Sequence, residues 1–274
     1  AGLIANYQNA KSAFNTLNEI MQMPSEHQSG NEYLKRSSFI GNIEFNNLSF
    51  KYPDEDRYSL KNISFKIEAG EKVGIVGRIG SGKTTIEKMI LGLYAPTDGE
   101  IRIDGIDIGQ IDPVDLRKNI GYVPQDISLM KGTLRENLIY RKPTANELMI
   151  LRAANIAGVE GFVNRHQRGF DMSVGERGEG ISGGQRQSIA IARAVISDAP
   201  IMLFDEPTNM MDSITENEVK RKLKESMEEK TLILITHKTS LLELVDRIIV
   251  LEDGKVVADG KRDAILAKLS GEKR

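Results

Sequence analysis

The sequence predicts an α/β fold on three observations: short runs that are apolar throughout, a glycine-rich turn between a strand and a helix, and alternating apolar segments toward the N-terminus. The runs 201–204 and 232–235 have the continuous apolar character of strands covered on both faces, as parallel sheets flanked by helices require. Residues 72–76 form a third such strand, which enters a glycine-rich turn and gives way to a helical pattern over 84–93. Between 43 and 67, apolar residues alternate (Ile43, Phe45; Leu48, Phe50, Tyr52; Ile63, Phe65, Ile67) with polar turns between them, the pattern of an antiparallel sheet with one buried face. Hairpins are expected at 101–108 around Asp104-Gly105 and at 248–258 around Asp253-Gly254. Residues 143 to about 170 read as helical, and a further helix is expected over 182–196. Near the N-terminus, Leu3, Tyr7, Ala10, Phe14, Leu17 and Met21 draw one apolar stripe down a helix that ends near Pro24. A polar linker follows over 25–38, so the folded domain is expected to start near Phe39.

Composition narrows the function. At 274 residues, 40% hydrophobic and 28% charged, the chain can bury a core of ordinary globular type. Thirty-seven Lys plus Arg against 39 Asp plus Glu leave a net charge of -2, which gives no electrostatic case for nucleic acid as a partner. The absence of cysteine removes disulfides, thiolate metal sites and cysteine nucleophiles together. No stretch approaches the roughly 20 apolar residues needed to cross a bilayer. The chain begins at Ala1 with neither a basic start nor a signal-peptide core, and it reads as a mature or excised fragment.

The segment Gly77-Arg78-Ile79-Gly80-Ser81-Gly82-Lys83-Thr84 fits GxxxxGK[ST] in full, after a strand and before a helix. A polyphosphate is wrapped tightly only where successive backbone N–H groups point inward, and Gly77, Gly80 and Gly82 permit the dihedrals and close approach this needs. Lys83 then reaches the β and γ oxygens, the helix N-terminus adds favourable partial charge, and the Thr84 hydroxyl can ligate Mg2+. A second anchor is the apolar strand ending in Asp205-Glu206, whose carboxylates lie at the C-terminal tip where ligands of open α/β sheets gather. Asp205 is expected to hold Mg2+, and Glu206 to orient or deprotonate the water that attacks the γ-phosphate.

Ile181-Ser182-Gly183-Gly184-Gln185-Arg186-Gln187 resembles the LSGGQ signature of ATP-binding-cassette (ABC) ATPases, with Ile181 in place of Leu. Ser182, Gly183 and Gly184 at the start of a helix make a second anion-binding end. The resemblance, which runs from about Gly41 to the end, implies a P-loop NTPase (ABC ATPase) core of mixed or parallel sheet. An N-terminal antiparallel β subdomain and an α-helical signature subdomain (about 126–197) complete the expected fold. It implies ATP and Mg2+ as ligands, with Gly77, Gly80, Ser81, Gly82, Lys83, Thr84 and Thr85 cradling the nucleotide. It also implies a head-to-tail pairing with a second copy, in which Ser182, Gly183, Gly184 and Gln185 of one subunit close over the γ-phosphate held by the other. By the same resemblance Tyr52 stacks on adenine, Gln125 touches Mg2+ and the attacking water, His237 contacts the γ-phosphate, and Asp212 is the aspartate of the loop facing the partner. His27 and His166 are given no role. One departure from the pattern is Asn209-Met210-Met211, where the family usually has small residues.

The glycine-rich segment 174–180 resembles an exporter loop that contacts the membrane domain, and residues 6–10 and 17–24 resemble the connection between halves in bacterial type I secretion ATPases. The expected organisation is therefore a helix and linker (1–38) continuing from a transmembrane domain, then the nucleotide-binding domain (39–274). The resemblance implies a place at the cytoplasmic face of the inner (plasma) membrane, powering export of protein or peptide by type I secretion; lipid, peptide and drug exporters share most of these features. A soluble family member acting as an ATP-driven clamp in DNA repair or translation is the rival reading. It fits less well, since such chains carry a long coiled-coil insertion or tandem cassettes.

Overall fold

The computed structural model describes residues 2–23, 25, 26, 32–53 and 55–271; Pro24 and His27 lie outside the described residues. The chain divides into two compact units, the first ending at Tyr33 and the second beginning at Leu34. In the first, α1 (Gly2–Gln22) is the amphipathic helix the stripe predicts, with Leu3, Tyr7, Phe14, Leu17 and Met21 all exposed. The second starts ahead of Phe39 because the backbone of Leu34 bridges to Ile111 and the Arg36 N–H donates to Asp115 at 3.1 Å. Residues 34–38, expected as linker, are docked on the domain.

From there the chain runs β1 (Ile43–Phe50), β2 (Leu60–Ile67), β3 (Lys72–Gly77), α2 (Lys83–Ile90), β4 (Asp98–Ile103), β5 (Ile106–Asp107), α3 (Pro113–Lys118) and β6 (Ile120–Val123). Next come α4 (Leu134–Ile139), α5 (Glu147–Ile156), α6 (Glu160–Val163), α7 (Gly183–Val195), β7 (Ile201–Asp205) and α8 (Ser213–Ser226). The chain ends with β8 (Thr231–Ile235), β9 (Arg247–Glu252), β10 (Lys255–Lys261) and α9 (Arg262–Gly271). An antiparallel sheet has the order β2-β1-β4-β5, and a larger sheet the order β10-β9-β3-β8-β7-β6, parallel except for the β9–β10 hairpin. Both predicted hairpins form, with Asp104, Gly105, Asp253 and Gly254 all at positive φ as a tight two-residue turn requires.

The larger sheet is the partition between two cores. Ile201, Leu203, Ile233 and Ile235 pack toward the antiparallel sheet and α2, while Met202, Phe204, Leu232 and Leu234 pack toward α7 and the helices around it. Strands buried on both faces cannot alternate, which is why their sequences are apolar throughout. The expected polar turn after Phe45 is instead a bulge within β1: Asn47 sits at φ 48° and the register with β2 shifts between Phe45 and Leu48. The helical stretch after 143 is broken at Gly158, whose φ of 71° ends α5. Helix α4 lies within the expected helical subdomain but was not expected as a separate helix; a reciprocal cap between Thr133 and Glu136 fixes its start.

Candidate functional site

The turn after β3 is built around close approaches that side chains would block. A Cβ on Gly77 would lie 2.3 Å from the Leu251 carbonyl oxygen and 2.6 Å from Ser81 Oγ. Gly82, at φ 105°, is the N-cap of α2 and brings no side chain to it, so the first turn of the helix faces the loop uncapped. Lys83 is buried and its Nζ donates to the Gly77 and Arg78 carbonyls at 2.8 and 2.9 Å, turning its charge into the loop. Burial holds this ammonium below the usual lysine range, against the opposing pull of Asp205 and Glu206. The buried Ser81 Oγ has no hydrogen-bond partner, Thr84 is exposed, and Thr85 is buried. An orphaned hydroxyl, an uncapped helix end and an inward lysine around glycine backbone fit a polyphosphate.

Strand β7 carries Asp205 and Glu206 to the same edge, both buried. Glu206, at φ 46°, is pinned on every side. Its N–H donates to the Ile235 carbonyl at 2.9 Å, Oε1 accepts from the His237 N–H at 2.8 Å, and Oε2 accepts from the Thr236 hydroxyl at 3.1 Å. The His237 ring, about half exposed, has Nε2 4.0 Å from Glu206 Oε1. Burial raises the Asp205 carboxyl above the usual range, with further help from the Glu206 charge. Burial also pushes the Glu87 carboxyl up to about 8, although the Tyr122 hydroxyl donates to its Oε1. Glu87 Oε2 has no partner. Glu87 and Tyr122 went unread in the sequence; the available signal was an acid four residues after Lys83 among buried apolar positions of α2.

Tyr52 stands edge-on to Phe50 and Tyr94, with ring centroids 5.0 and 5.3 Å apart, and its hydroxyl lies 3.3 Å from Thr85 Oγ1. That contact brings the aromatic up to the phosphate loop. Gln125 is exposed, two residues past the end of β6, which pairs with β7. His166 is exposed and its Nδ1 accepts from the Arg168 N–H.

Ser182 caps α7 as expected, accepting from the Gln185 N–H at 3.2 Å. The Gln185 side chain returns a bond from the Ser182 N–H at 2.9 Å, so this predicted ligand contact is engaged in the cap. Asp212 likewise caps α8, accepting from the Ile214 and Thr215 N–H groups and the Thr215 hydroxyl, which hold its carboxyl below the usual range. Ser182, Gly183, Gly184 and Asp212 line an open cleft with Phe162 and Arg165, and the lining includes neither Lys83 nor Asp205. The fold thus gathers the predicted site into two places. Lys83, Asp205, Glu206 and His237 meet at one; the signature turn and Asp212 meet at the other.

This pairing of a phosphate loop on a parallel sheet with a glycine-rich signature helix defines an ABC-type ATP-binding fold. Residues 60–209 match the ABC transporter family, and the chain belongs to it. It is 36% identical over 271 residues to the leukotoxin translocation ATP-binding protein LktB of Mannheimia glucosida, covering 99% of this chain and 38% of that protein. The LktB protein of a Pasteurella haemolytica-like strain is 38% identical over 255 residues, covering 93% of this chain and 36% of its own length. The structure also matches a bacterial Atm1-family ABC exporter with ATP bound, with a TM-score of 0.84, 32% identity, and coverage of 96% of this chain and 47% of the exporter chain. The chain therefore spans less than half the length of these relatives.

Proposed function

We propose that this chain hydrolyses Mg-ATP to drive an exporter, and that its cargo is protein or peptide moved by type I secretion. The observation that carries the ATPase reading is the burial of Lys83, Asp205 and Glu206 around one strand edge, with Glu206 locked against Thr236 and His237. The secretion reading is supported by likeness to proteins named for leukotoxin translocation.

In this scheme Tyr52 packs on the adenine, and the loop amides with Lys83 bind the phosphates. Thr84, Asp205 and Gln125 would hold Mg2+, which would supply positive charge to offset that of the phosphates. Glu206 acts as base from a carboxylate that Thr236 and the His237 backbone already hold, with His237 beside it to meet charge on the γ-phosphate. The cleft at Ser182 serves a second, identical copy, arranged head to tail, so that each nucleotide is enclosed by two chains. A transmembrane domain of the same transporter completes the machine at the cytoplasmic face of the plasma membrane.

Glu206→Gln tests the catalytic part. Removing a general base costs ~10²- to 10⁴-fold in rate, so turnover should nearly vanish while nucleotide binding persists and sedimentation detects an ATP-bound dimer. A variant with full turnover that stays monomeric in ATP would refute the scheme.

A further inference from the structure

We propose that Gln187 is a positioning residue that couples docking of the Ser182 turn on a partner's nucleotide to the placement of Glu206 in its own chain. The proposal rests on the paired-subunit reading above. Gln187 lies on α7 one turn beyond Gly183 and Gly184 and is 2% exposed. Its amide faces two backbone groups of one loop: Nε2 donates to the Glu206 carbonyl at 3.2 Å, and Oε1 accepts from the Met210 N–H at 2.7 Å. One side chain therefore holds both ends of the segment 206–210.

The same segment touches the signature turn directly. A Cβ on Gly183 would lie 2.7 Å from Met210 Sδ, and one on Gly184 3.0 Å from the Met210 carbonyl oxygen. From the other side Lys238, next to His237, donates to the Thr208 carbonyl at 2.8 Å and pairs with Glu216. A displacement of the signature turn thus has a short, hydrogen-bonded route to Glu206, a residue whose φ of 46° exists only because its surroundings impose it. The bulky Met210, where the family pattern has small residues, becomes part of this link rather than an obstruction.

The Gln187 amide supplies both the donor and the acceptor from one side chain. Gln187→Leu removes both bonds at similar volume, and Gln187→Glu keeps the acceptor while losing the donor to Glu206. In the full chain, ATP turnover, its Hill coefficient, thermal melting, and titration with a fluorescent ATP analogue at low protein concentration separate the roles. The expected result is a kcat lower by about 3- to 30-fold, a Hill coefficient falling toward one, and analogue binding and KM within about two-fold of the parent. Unchanged kcat and Hill coefficient overturn the proposal. So does a loss of kcat matched by equal losses of binding and melting temperature, the mark of a purely structural glutamine. Should the Leu variant fail to fold, the Glu variant carries the same expectations, and failure of both to fold also overturns it. A parent protein that is itself non-cooperative at every concentration sinks the pairing reading along with this one; a cooperative parent with unaltered variants sinks this one alone.

Discussion

Single residues of the phosphate site differ in how their polar groups are satisfied, and the differences set what each can do. Glu206 is a buried acid with both oxygens accepting hydrogen bonds, from Thr236 and from the His237 backbone, so its carboxylate is held by the chain itself. Glu87 is equally buried yet keeps one oxygen without a partner, beside a Tyr122 hydroxyl that serves the other. Lys83 donates its ammonium hydrogens to the Gly77 and Arg78 carbonyls, bracing the loop from inside. Lys83→Met removes that brace and the charge together. A hydrogen bond to a charged group is worth about 1.5–3 kcal/mol, so nucleotide should bind roughly 10- to 100-fold more weakly. Titration with a fluorescent ATP analogue measures this, and binding as tight as in the parent would remove Lys83 from the site.

Among the elements, the contact between α7 and the sheet decides whether the signature turn is held firmly. It depends on Gly121 in β6, where a Cβ would sit 2.3 Å from Met202 Sδ and 2.8 Å from the Ala194 carbonyl oxygen. The methionine can swing aside, but the helix backbone cannot. Gly121→Ala should therefore lower stability by about 1–3 kcal/mol, the usual cost of overpacking, read as a shift of the urea midpoint; an unshifted midpoint would show that α7 tolerates displacement. Strands β7 and β8 were legible in the sequence because burial on both faces leaves an unbroken apolar run. The phosphate loop and Asp205-Glu206 were legible because their chemistry is contiguous. The bulge at Asn47 was not, since paired asparagines read equally well as a turn, and only pairing with β2 keeps the strand going. Gln187, Tyr122 and Thr236 were illegible for a related reason. Each acts on a residue brought near by the fold, not by sequence: Thr236 reaches Glu206 from just past β8, and Tyr122 reaches Glu87 from β6. A polar residue inside an apolar helix stripe, as Gln187 is, was the one visible trace.

The molecule as a whole presents its two candidate anion-binding ends in different places, and this sets what the isolated chain should do. The loop around Lys83 and the helix end at Ser182 belong to separate parts of one domain, so a nucleotide at the first leaves the second facing outward. If a second copy supplies the missing half, specific turnover must rise with protein concentration, because an unlinked pair forms only by mass action. Ser182→Asp separates this from a local effect. Aspartate is as good an N-cap as serine, so α7 keeps its start and the melting temperature should hold. Its carboxylate, however, lies where the partner's γ-phosphate would dock, and like charges at such a junction cost several kcal/mol. Turnover should fall at least roughly 100-fold at every concentration, while binding of the ATP analogue to the variant's own loop stays at the parental value. Parental turnover in this variant would mean that the helix end at Ser182 plays no part in the reaction and that one chain alone completes the chamber.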